Sequence, residues 1–347
     1  DGRLSLGVDA FKGLSDSVTY RRSINGFSTY RNDADNDSLI DETSIAPFAQ
    51  YEFSPAEDFR VSLGARWENY EIDVDDRSTY DLDGSKSYSD LVKKAGVTWE
   101  YEPNQILWAS VSEGFYVPST SATVTTANAT DLPAEESLTW SAGIRGEMAG
   151  GRLGYDVGIF HTEIRGMAVS LACGGDAVIC PGDPTGTYSA AAGEVRYQGL
   201  EAELRWRASD KVRLDASYTY AHNTYVDFVS TSGDFTGNTA SASPDHHVNL
   251  RVSYMPTEQW SFEAEADWIS SYYTNESNTD SYERPVLFNL RAQHSLNDRV
   301  SLSLAVENVL NEKYSKRVSS TEAAVPVRSY NEGYSGRTIR FGVNIAL

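Results

Sequence analysis

The sequence predicts an all-β fold, a transmembrane antiparallel β-barrel with short periplasmic turns at one end and long extracellular loops at the other. Three observations lead to this prediction. Strand-like segments alternate apolar and polar residues over unusual lengths, aromatic residues bracket their apolar faces, and tight turns recur at similar intervals along 347 residues. Strands of soluble sheets average about five or six residues, so longer alternating segments indicate a wall that crosses a membrane.

Two segments show the bracketing most clearly. Phe59 and Trp67 close the ends of one apolar face, and Trp260 and Trp268 close the ends of another. Trp and Tyr prefer the interface between water and lipid, so these pairs indicate two aromatic girdles. The opposite faces carry Arg, Glu and Asp, which predicts a polar interior. A soluble β-sandwich or a secreted solenoid is the alternative, but neither requires every long loop on one side.

Short turns and long loops alternate along the chain. The short turns are "SPAED" (54–58), "EPNQ" (102–105), "AGGR" (149–152), "ASDK" (208–211), "PTEQ" (256–259) and "LNDR" (296–299). The long polar loops cover roughly 73–87, 116–135, 171–192, 224–244, 274–282 and 314–334.

A seventh short turn is predicted at "GLSD" (13–16), between strands at 3–12 and 17–27. With a last strand at 336–347, the predicted number is about fifteen strands. Bacterial single-chain barrels have even strand numbers. We therefore expect the chain to be part of a barrel whose first strands precede residue 1.

The composition excludes some classes of function. The formal net charge is -21, and no basic stripe is present to neutralise phosphates, so no nucleic-acid partner is expected. No run of 18 apolar residues occurs, which excludes a transmembrane helix in this sequence. The two cysteines, Cys173 and Cys180, lie in one loop and predict a disulfide in an oxidising compartment, with two free thiols as the alternative.

No catalytic or metal-ligating constellation is evident. His246 and His247 are adjacent on a predicted strand, so their side chains point to opposite faces and make a poor metal pair. The sequence contains neither H-E-x-x-H nor G-x-S-x-G. We expect no enzyme activity, no cofactor and no metal site.

One acidic loop resembles the start of a calcium loop. Asp33, Asp35 and Asp37 alternate, but Ser38 and Ser44 occupy the positions where an EF-hand needs Gly and Glu. A solvated loop is the favoured interpretation. A looser divalent site shared with lipopolysaccharide is the alternative.

Six segments resemble, in order, segments of TonB-dependent outer-membrane receptors of the siderophore type. They are "WASVSEGFYVPST" (108–120), "LPAEESLTWSAGIRG" (132–146), "YQGLEAELRW" (197–206), "SPDHHVNLRVSY" (243–254), "VENVLNEKY" (306–314) and "GRTIRFGVNIAL" (336–347). Each segment alone is weakly specific, whereas six at these spacings are strongly specific. One departure is the terminal Leu347, where the family usually ends in Phe.

The resemblance implies a 22-stranded barrel in the outer membrane around an N-terminal plug. Residues 1–347 would then be a partial barrel domain that lacks the plug and the first strands. The implied function is TonB-energised uptake of a scarce, bulky nutrient, most often a ferric siderophore, with vitamin B12, haem and oligosaccharides as other substrates. The implied partners are the TonB complex, outer-membrane lipid and lipopolysaccharide, and the barrel-assembly machinery. A passive porin-like or adhesive barrel is the alternative function.

The resemblance also implies that aromatic and Arg side chains of the loops contact the ligand. The candidates are Tyr188, Tyr225, Phe228, Tyr272, Tyr273, Arg284, Arg328, Tyr330 and Tyr334. The competing interpretation of each aromatic candidate is a side chain of a girdle or of the packing within a loop.

Overall fold

The computed structural model describes residues 2–19, 36–77, 83–118, 132–176, 185–331 and 336–345, and within these ranges all regular structure is β-strand. The strands are β1 (Gly2–Thr19), β2 (Asn36–Ala56), β3 (Phe59–Asp76), β4 (Gly84–Glu102), β5 (Gln105–Tyr116), β6 (Glu135–Met148), β7 (Leu153–Ala172), β8 (Thr187–Arg207), β9 (Val212–Asp227), β10 (Val229–Ser230), β11 (Gly233–Asp234), β12 (His246–Thr257), β13 (Trp260–Ile269), β14 (Tyr272–Tyr273), β15 (Ser281–Tyr282), β16 (Leu287–Asn297), β17 (Val300–Glu307), β18 (Arg317–Ser320), β19 (Arg328–Asn331) and β20 (Thr338–Ile345).

One large antiparallel sheet contains fourteen of these described strands. Its order is β1-β2-β3-β4-β5-β6-β7-β8-β9-β12-β13-β16-β17-β20, so each strand pairs with the next sheet strand along the chain. The six short turns predicted between residues 54 and 299 are confirmed as the hairpin connections of this sheet. The remaining strands form three short pairs, β10–β11, β14–β15 and β18–β19, within the long connections.

The predicted turn at 13–16 is wrong. β1 continues through it, with Gly13 opposite Glu42 and Asp16 opposite Leu39 in an uninterrupted register with β2. Gly and Ser weaken a strand but do not end it when a partner strand satisfies their backbone groups. The described sheet therefore has fourteen strands rather than fifteen. Its first strand runs toward the long connections and its last strand runs away from them.

The sheet strands differ strongly in length. β2 and β8 each have 21 residues, whereas β17 and β20 each have 8. About 9–11 residues cross a membrane when a strand is tilted. The long strands therefore continue beyond the membrane, and they include residues 73–76, 84–87, 171–172 and 187–192 of the predicted loops at 73–87 and 171–192. The alternation of the sequence weakens there because the polar face acquires buried apolar residues such as Ile72 and Val195.

The two faces of the sheet carry different chemistry. One face presents exposed apolar side chains such as Leu6 and Phe341. The other presents ion pairs, such as that of Arg66 with Asp9 and with Glu68, whose Nε and Oε1 lie 2.6 Å apart. This is the distribution expected of a wall with lipid outside and a polar lumen inside.

Two aromatic rows mark the edges of the apolar face. Trp260 stacks on His294 with 4.0 Å between ring centroids, and Trp268 stacks near His246 at 6.5 Å. The two Trp residues lie at the two ends of β13, and a strand rises about 3.3 Å per residue. The two Trp residues are therefore about 26 Å apart along the strand, close to the height of roughly 25 Å expected for the lipid-facing band of a barrel.

Over the described residues there is no helix long and apolar enough to cross a membrane.

Candidate functional site

Three long connections of the second half of the chain form one unit, which we call the loop platform. It comprises residues 228–245, 270–286 and 308–331, which link β9 to β12, β13 to β16 and β17 to β20. The polar, Gly- and Asn-containing sequences of these connections favour turns over long strands. Their structure comes from a short strand pair within each connection and from contacts between connections.

Asn278 joins the first connection to the second. Its Nδ2 donates to the carbonyl oxygen of Thr239 at 2.8 Å, and the Thr239 N–H donates to its Oδ1 at 2.9 Å. The backbone N–H of Ala242 donates to the carbonyl oxygen of Tyr273 at 2.8 Å. The Asn278 side chain thus makes the donor and acceptor contacts with Thr239 that the backbone of a neighbouring strand would otherwise make.

Thr274 and Tyr272 join the second connection to the third. The Ser320 N–H donates to the carbonyl oxygen of Thr274 at 2.8 Å, and their hydroxyl oxygens lie 2.7 Å apart. The Tyr272 hydroxyl accepts the N–H of Val318 at 3.0 Å. Val318 is 0% exposed, so that hydroxyl satisfies a donor that water does not reach.

An Arg–carboxylate pair closes the same junction. Arg328 donates from Nε to Oδ2 of Asp280 at 2.7 Å and from Nη2 to Oδ1 at 2.6 Å, and Nη2 also donates to the carbonyl oxygen of Ser281. These hydrogen bonds from Arg328 hold the pKa of the Asp280 carboxyl below its usual range. The pKa of Arg328 is raised in turn, first by its hydrogen bonds to Asp280. The two hydrogen bonds fix the orientation of the Arg328 guanidinium against the Asp280 carboxylate as well as pairing their charges.

The first connection also covers the inner face of the wall. Phe235 and Ala240 pack on Val195 and Tyr225 in a buried cluster, with Phe228 against it. The rings of Tyr225 and Phe228 are 4.3 Å apart between centroids. Apolar burial thus anchors the platform to the upper part of β8 and β9.

Below the platform, the inner face carries a charged network. Asp267 accepts from Arg284 and lies 2.8 Å from His247 Nε2. Glu265 accepts from Arg251 Nη2 at 3.0 Å, and Asn289 donates to it at 3.1 Å. Acidic and basic side chains on neighbouring strands thus neutralise each other within the lumen.

The described residues thus combine a platform of polar and aromatic loops, an inner face with ion pairs and an outer face with exposed apolar side chains. Residues 1–309 match the family described as "TonB dependent receptor-like, beta-barrel". The chain belongs to this family. Family membership confirms the barrel fold, the resemblance noted in the sequence and a location in the outer membrane.

Similar proteins carry siderophore- and iron-related names. A probable TonB-dependent siderophore receptor, PiuA, of Acinetobacter baumannii is 25% identical over 81% of this chain and 38% of its own length. An iron-regulated outer-membrane virulence protein of Vibrio cholerae serotype O1 is 24% identical over 79% of this chain and 42% of its own length. The chain therefore spans about two fifths of the length of these curated relatives.

The fold is shared with solved receptor structures. The crystal structure of the siderophore receptor PiuA from Acinetobacter baumannii superposes with a TM-score of 0.75 at 20% identity. The match covers 99% of this chain and 53% of that one.

The platform of this TonB-dependent receptor barrel contains most of the candidate ligand residues, and these residues differ in exposure and in their contacts. Tyr272 of the platform and Tyr225 of β9 are each 6% exposed, and Arg284 and Arg328 are paired with acidic residues. Phe228 packs against the buried cluster.

Two candidates of the platform present open surface. Tyr273 is 38% exposed and Tyr330 is 58% exposed. Tyr188 lies outside the three connections of the platform, in the upper part of β8 opposite Leu171. Tyr334 lies outside the described residues.

Two other predictions have different outcomes. His246 and His247 do point to opposite faces, the first into an outer aromatic row and the second to Asp267.

Cys173 is buried and its N–H donates to the carbonyl oxygen of Gly186. Cys180 lies outside the described residues, so the disulfide stays a prediction. The Asp33–Asp35 part of the acidic loop is also outside them.

Sequence reasoning missed the residues that organise the platform. The polar sequence around these residues predicts only solvated loops. They are Asn275, Asn278, Asp280 and Glu322. Asn278 has a φ of 57°, which suits the left-handed conformation that Asn tolerates. Asn275 also has a local role, because its Oδ1 accepts the N–H groups of Thr279 and Asp280. The contacts of Asp280 with Arg328 and of Glu322 with the N–H of Glu276 join different connections, and no local pattern identifies them.

Proposed function

We propose that the chain forms wall and ligand-gathering loops of a receptor that takes up an iron chelate across the outer membrane with energy from TonB. The observation that carries this proposal is the family match over residues 1–309. The names of the relatives supply the ligand class, because they refer to siderophore and iron. The family consists of transport receptors, so we infer no enzyme activity for this chain.

The exposed aromatic side chains are the proposed contacts with the chelate. Tyr273 and Tyr330 offer flat apolar faces and phenolic hydroxyls, which suit a bulky ligand with both apolar and polar surface. Tyr225 and Tyr272 are proposed to support the contact surface from below. Arg328 can contact a ligand only if its hydrogen bonds to Asp280 break, so we place it among the supporting residues as well.

The remaining partners follow from this role. We infer that a plug and further strands complete the barrel in the full-length receptor, and that the plug transmits the pull of TonB. Lipopolysaccharide and outer-membrane lipid would surround the aromatic rows. The barrel-assembly machinery would recognise the last strand.

The test is uptake of radiolabelled ferric siderophores by cells that carry the full-length receptor, with and without an intact TonB system. We expect accumulation that disappears when TonB is removed. Tyr273→Ala with Tyr330→Ala should weaken binding of the chelate by about ten- to a hundredfold. Tyr254→Ala is the matched control, because Tyr254 is an exposed tyrosine of the wall toward the short-turn end.

Permeation that persists without TonB would favour the porin-like alternative and contradict the proposal. Unchanged affinity in the double variant would contradict the assignment of the two tyrosines but not the transport function.

A further inference from the structure

An apolar groove crosses the outer face of β4, β5, β6 and β7. Three small residues line it, Ala95, Ala109 and Ala142, and Ala109 lies directly opposite Ala142 in the register of β5 with β6. Trp140 and Ile159 also line the groove and are 55% and 59% exposed. Its volume is about 440 Å³. Because three small side chains meet among larger ones, this part of the lipid-facing wall is concave.

The upper edge of the groove lies at the upper aromatic row. His161 lines this edge and is paired with Trp140 in the register of β6 with β7. His161 is eight residues beyond Leu153, the first residue of β7, just as Trp268 is eight residues beyond the first residue of β13. Both side chains are therefore about 26 Å along their strands from the short-turn end. The groove thus lies in the lipid-facing band, on the side of the long extracellular connections.

Four charged side chains form a network directly above the groove, on the same face. Oε1 of Glu163 lies 3.5 Å from Nε2 of His161, two residues below it on β7. Nη2 of Arg165 donates to Oε2 of Glu163 at 2.9 Å, and Nε of Arg165 lies 3.5 Å from Glu194 of β8. Arg196 of β8 is paired with Glu163 in register, and its Nη2 lies 3.8 Å from Oε1. These contacts join the edge of the groove to two guanidinium groups.

Both arginines keep donors that the network does not use. The side chain of Arg165 is 66% exposed. Nη2 of Arg196 is beyond hydrogen-bonding distance of Glu163, and Nε of Arg196 has no hydrogen-bond partner among the described residues. Guanidinium groups bind phosphate well, because their planar donors match two phosphate oxygens at once. The network can therefore accept a phosphate group without losing the contact between Arg165 and Glu163.

The network has no net positive charge. Glu163 and Glu194 offset the two arginines, and Glu136 lies opposite Arg165 in the register with β6. Such a surface does not attract soluble anions over a distance. A phosphate group binds there only if another contact holds it in place, and an acyl chain buried in the groove below supplies that contact. Groove and network together therefore favour a lipid over a free anion.

We propose that the groove and the network bind one phosphorylated glycolipid of the outer leaflet. An acyl chain lies along Ala109 and Ala142, and a phosphate group lies at Arg165 and Arg196. The position near the long connections selects the outer leaflet, whose phosphate-bearing lipid is lipopolysaccharide. The site deepens the proposed contact with lipopolysaccharide, and it rests on the location of the barrel in the outer membrane rather than on transport of a chelate.

Native mass spectrometry of the full-length receptor, released from detergent micelles that contain diphosphoryl lipid A, tests the site. At low lipid concentration, Arg165→Gln with Arg196→Gln should retain one molecule fewer than the wild type. About ten- to thirtyfold more lipid should restore it, because each cation beside an anionic headgroup contributes roughly fivefold in affinity. Arg340→Gln is the matched control, since Arg340 is also 66% exposed but lies on the inner face, paired with Glu307.

Ala142→Phe tests the groove separately. A phenyl ring at this position fills the concave surface, so the same molecule should be lost although both arginines remain. Ala266→Phe makes the same change on the outer face of β13 and should leave the retained number unchanged. Heat-modifiable migration on gels shows whether each variant has assembled.

Two further lipids and one salt identify the headgroup. Lipid A without its phosphates should bind the wild type as weakly as diphosphoryl lipid A binds the arginine double variant. Phosphatidylglycerol, which carries a single phosphate, should not displace lipid A at equal concentration. Inorganic phosphate should not compete, because it has no acyl chain for the groove.

Equal retention of lipid A by the wild type and the arginine double variant would overturn the proposal, and so would equal retention by the wild type and Ala142→Phe. Displacement by phosphatidylglycerol at equal concentration would overturn the assignment to the glycolipid and leave ordinary lipid contact. Loss of siderophore uptake with normal retention of lipid A would instead count against the proposed function alone, because the binding measurement requires no chelate.

Discussion

The two halves of the sheet reach above the membrane by different means. In the first half, β2, β7 and β8 have 20 or 21 residues and continue the backbone ladder upward. In the second half, β13, β17 and β20 have 8 to 10 residues, and folded connections stand above them. The long strands are held by backbone hydrogen bonds along their length, whereas the platform combines short backbone pairs with hydrogen bonds from individual side chains.

This difference predicts different tolerance to substitution. A backbone ladder accepts most side chains, provided that the strands can approach each other. In the platform, individual amides, hydroxyls and an ion pair join the connections, so a change at one of these side chains removes a buried partner. Substitutions should therefore destabilise the wall only where two backbones approach closely. In the platform, the loss of a single polar side-chain atom should be enough to destabilise the local structure.

The largest effect is expected at Gly199 of β8. A Cβ there would overlap the carbonyl oxygen of Tyr220 on β9. Gly199→Val should prevent the two strands from pairing, and the barrel should not assemble. Heat-modifiable migration on gels, which separates folded from unfolded barrels, provides the measurement.

Gly154 on β7 is the control for that change. The atoms nearest to a Cβ built there lie 4.0 Å away, so Gly154→Ala should leave assembly intact. Normal assembly of Gly199→Val would show that the wall tolerates even close approach and would weaken the comparison of the two halves.

The next effect concerns Tyr272 in the platform. Tyr272→Phe leaves the N–H of Val318 buried without its acceptor, which costs about 1–3 kcal/mol of local stability. Hydrogen exchange should speed up at Val318 and not in the wall. Tyr273→Phe removes an exposed hydroxyl one residue away and should have little effect; equal effects of the two variants would contradict the role given to Tyr272.

A smaller effect is expected for Asp280→Asn. The carboxylate is partly open to solvent, so loss of its charge should cost only about 1 kcal/mol. Because Arg328 lowers the pKa of Asp280, the wild-type contribution is present above the ordinary Asp pKa and is lost as pH falls through the lowered value. Exchange at Arg328 in the variant should therefore match that of the wild type in strong acid and exceed it near neutral pH. Asp298→Asn, in the exposed short turn between β16 and β17, should show no such difference.

The smallest effect should come from a hydroxyl pair of the wall. Ser110 and Ser141 lie 2.8 Å apart between hydroxyl oxygens, and the backbone ladder beneath them is complete. Ser110→Ala should change stability by less than about 0.5 kcal/mol in denaturant titrations. Thr274→Val, which breaks the similar pair with Ser320 in the platform, should loosen local exchange several-fold more. A reversed order would show that the platform is no more dependent on side chains than the wall.

Much of the wall could be read from the sequence. Alternation, aromatic brackets and the six short turns predicted where the hairpins lie, because each signal is local and repeats along the strand. The prediction failed at 13–16, where "GLSD" has turn-forming residues but pairs with Glu42 to Leu39 as strand. Local propensity favours a turn there, and the partner strand overrides it.

The sequence by itself determined the class of fold, the orientation of its two faces and, through resemblance, the family. Periodicity of two separates lipid-facing from lumen-facing residues without knowledge of any partner. Only the tertiary structure decided how far the strands extend and how the three connections interlock. Asp280 pairs with Arg328, and the N–H of Glu276 donates to Glu322, although more than forty residues separate the partners in each case. Such contacts follow from the register of the strands rather than from any local pattern.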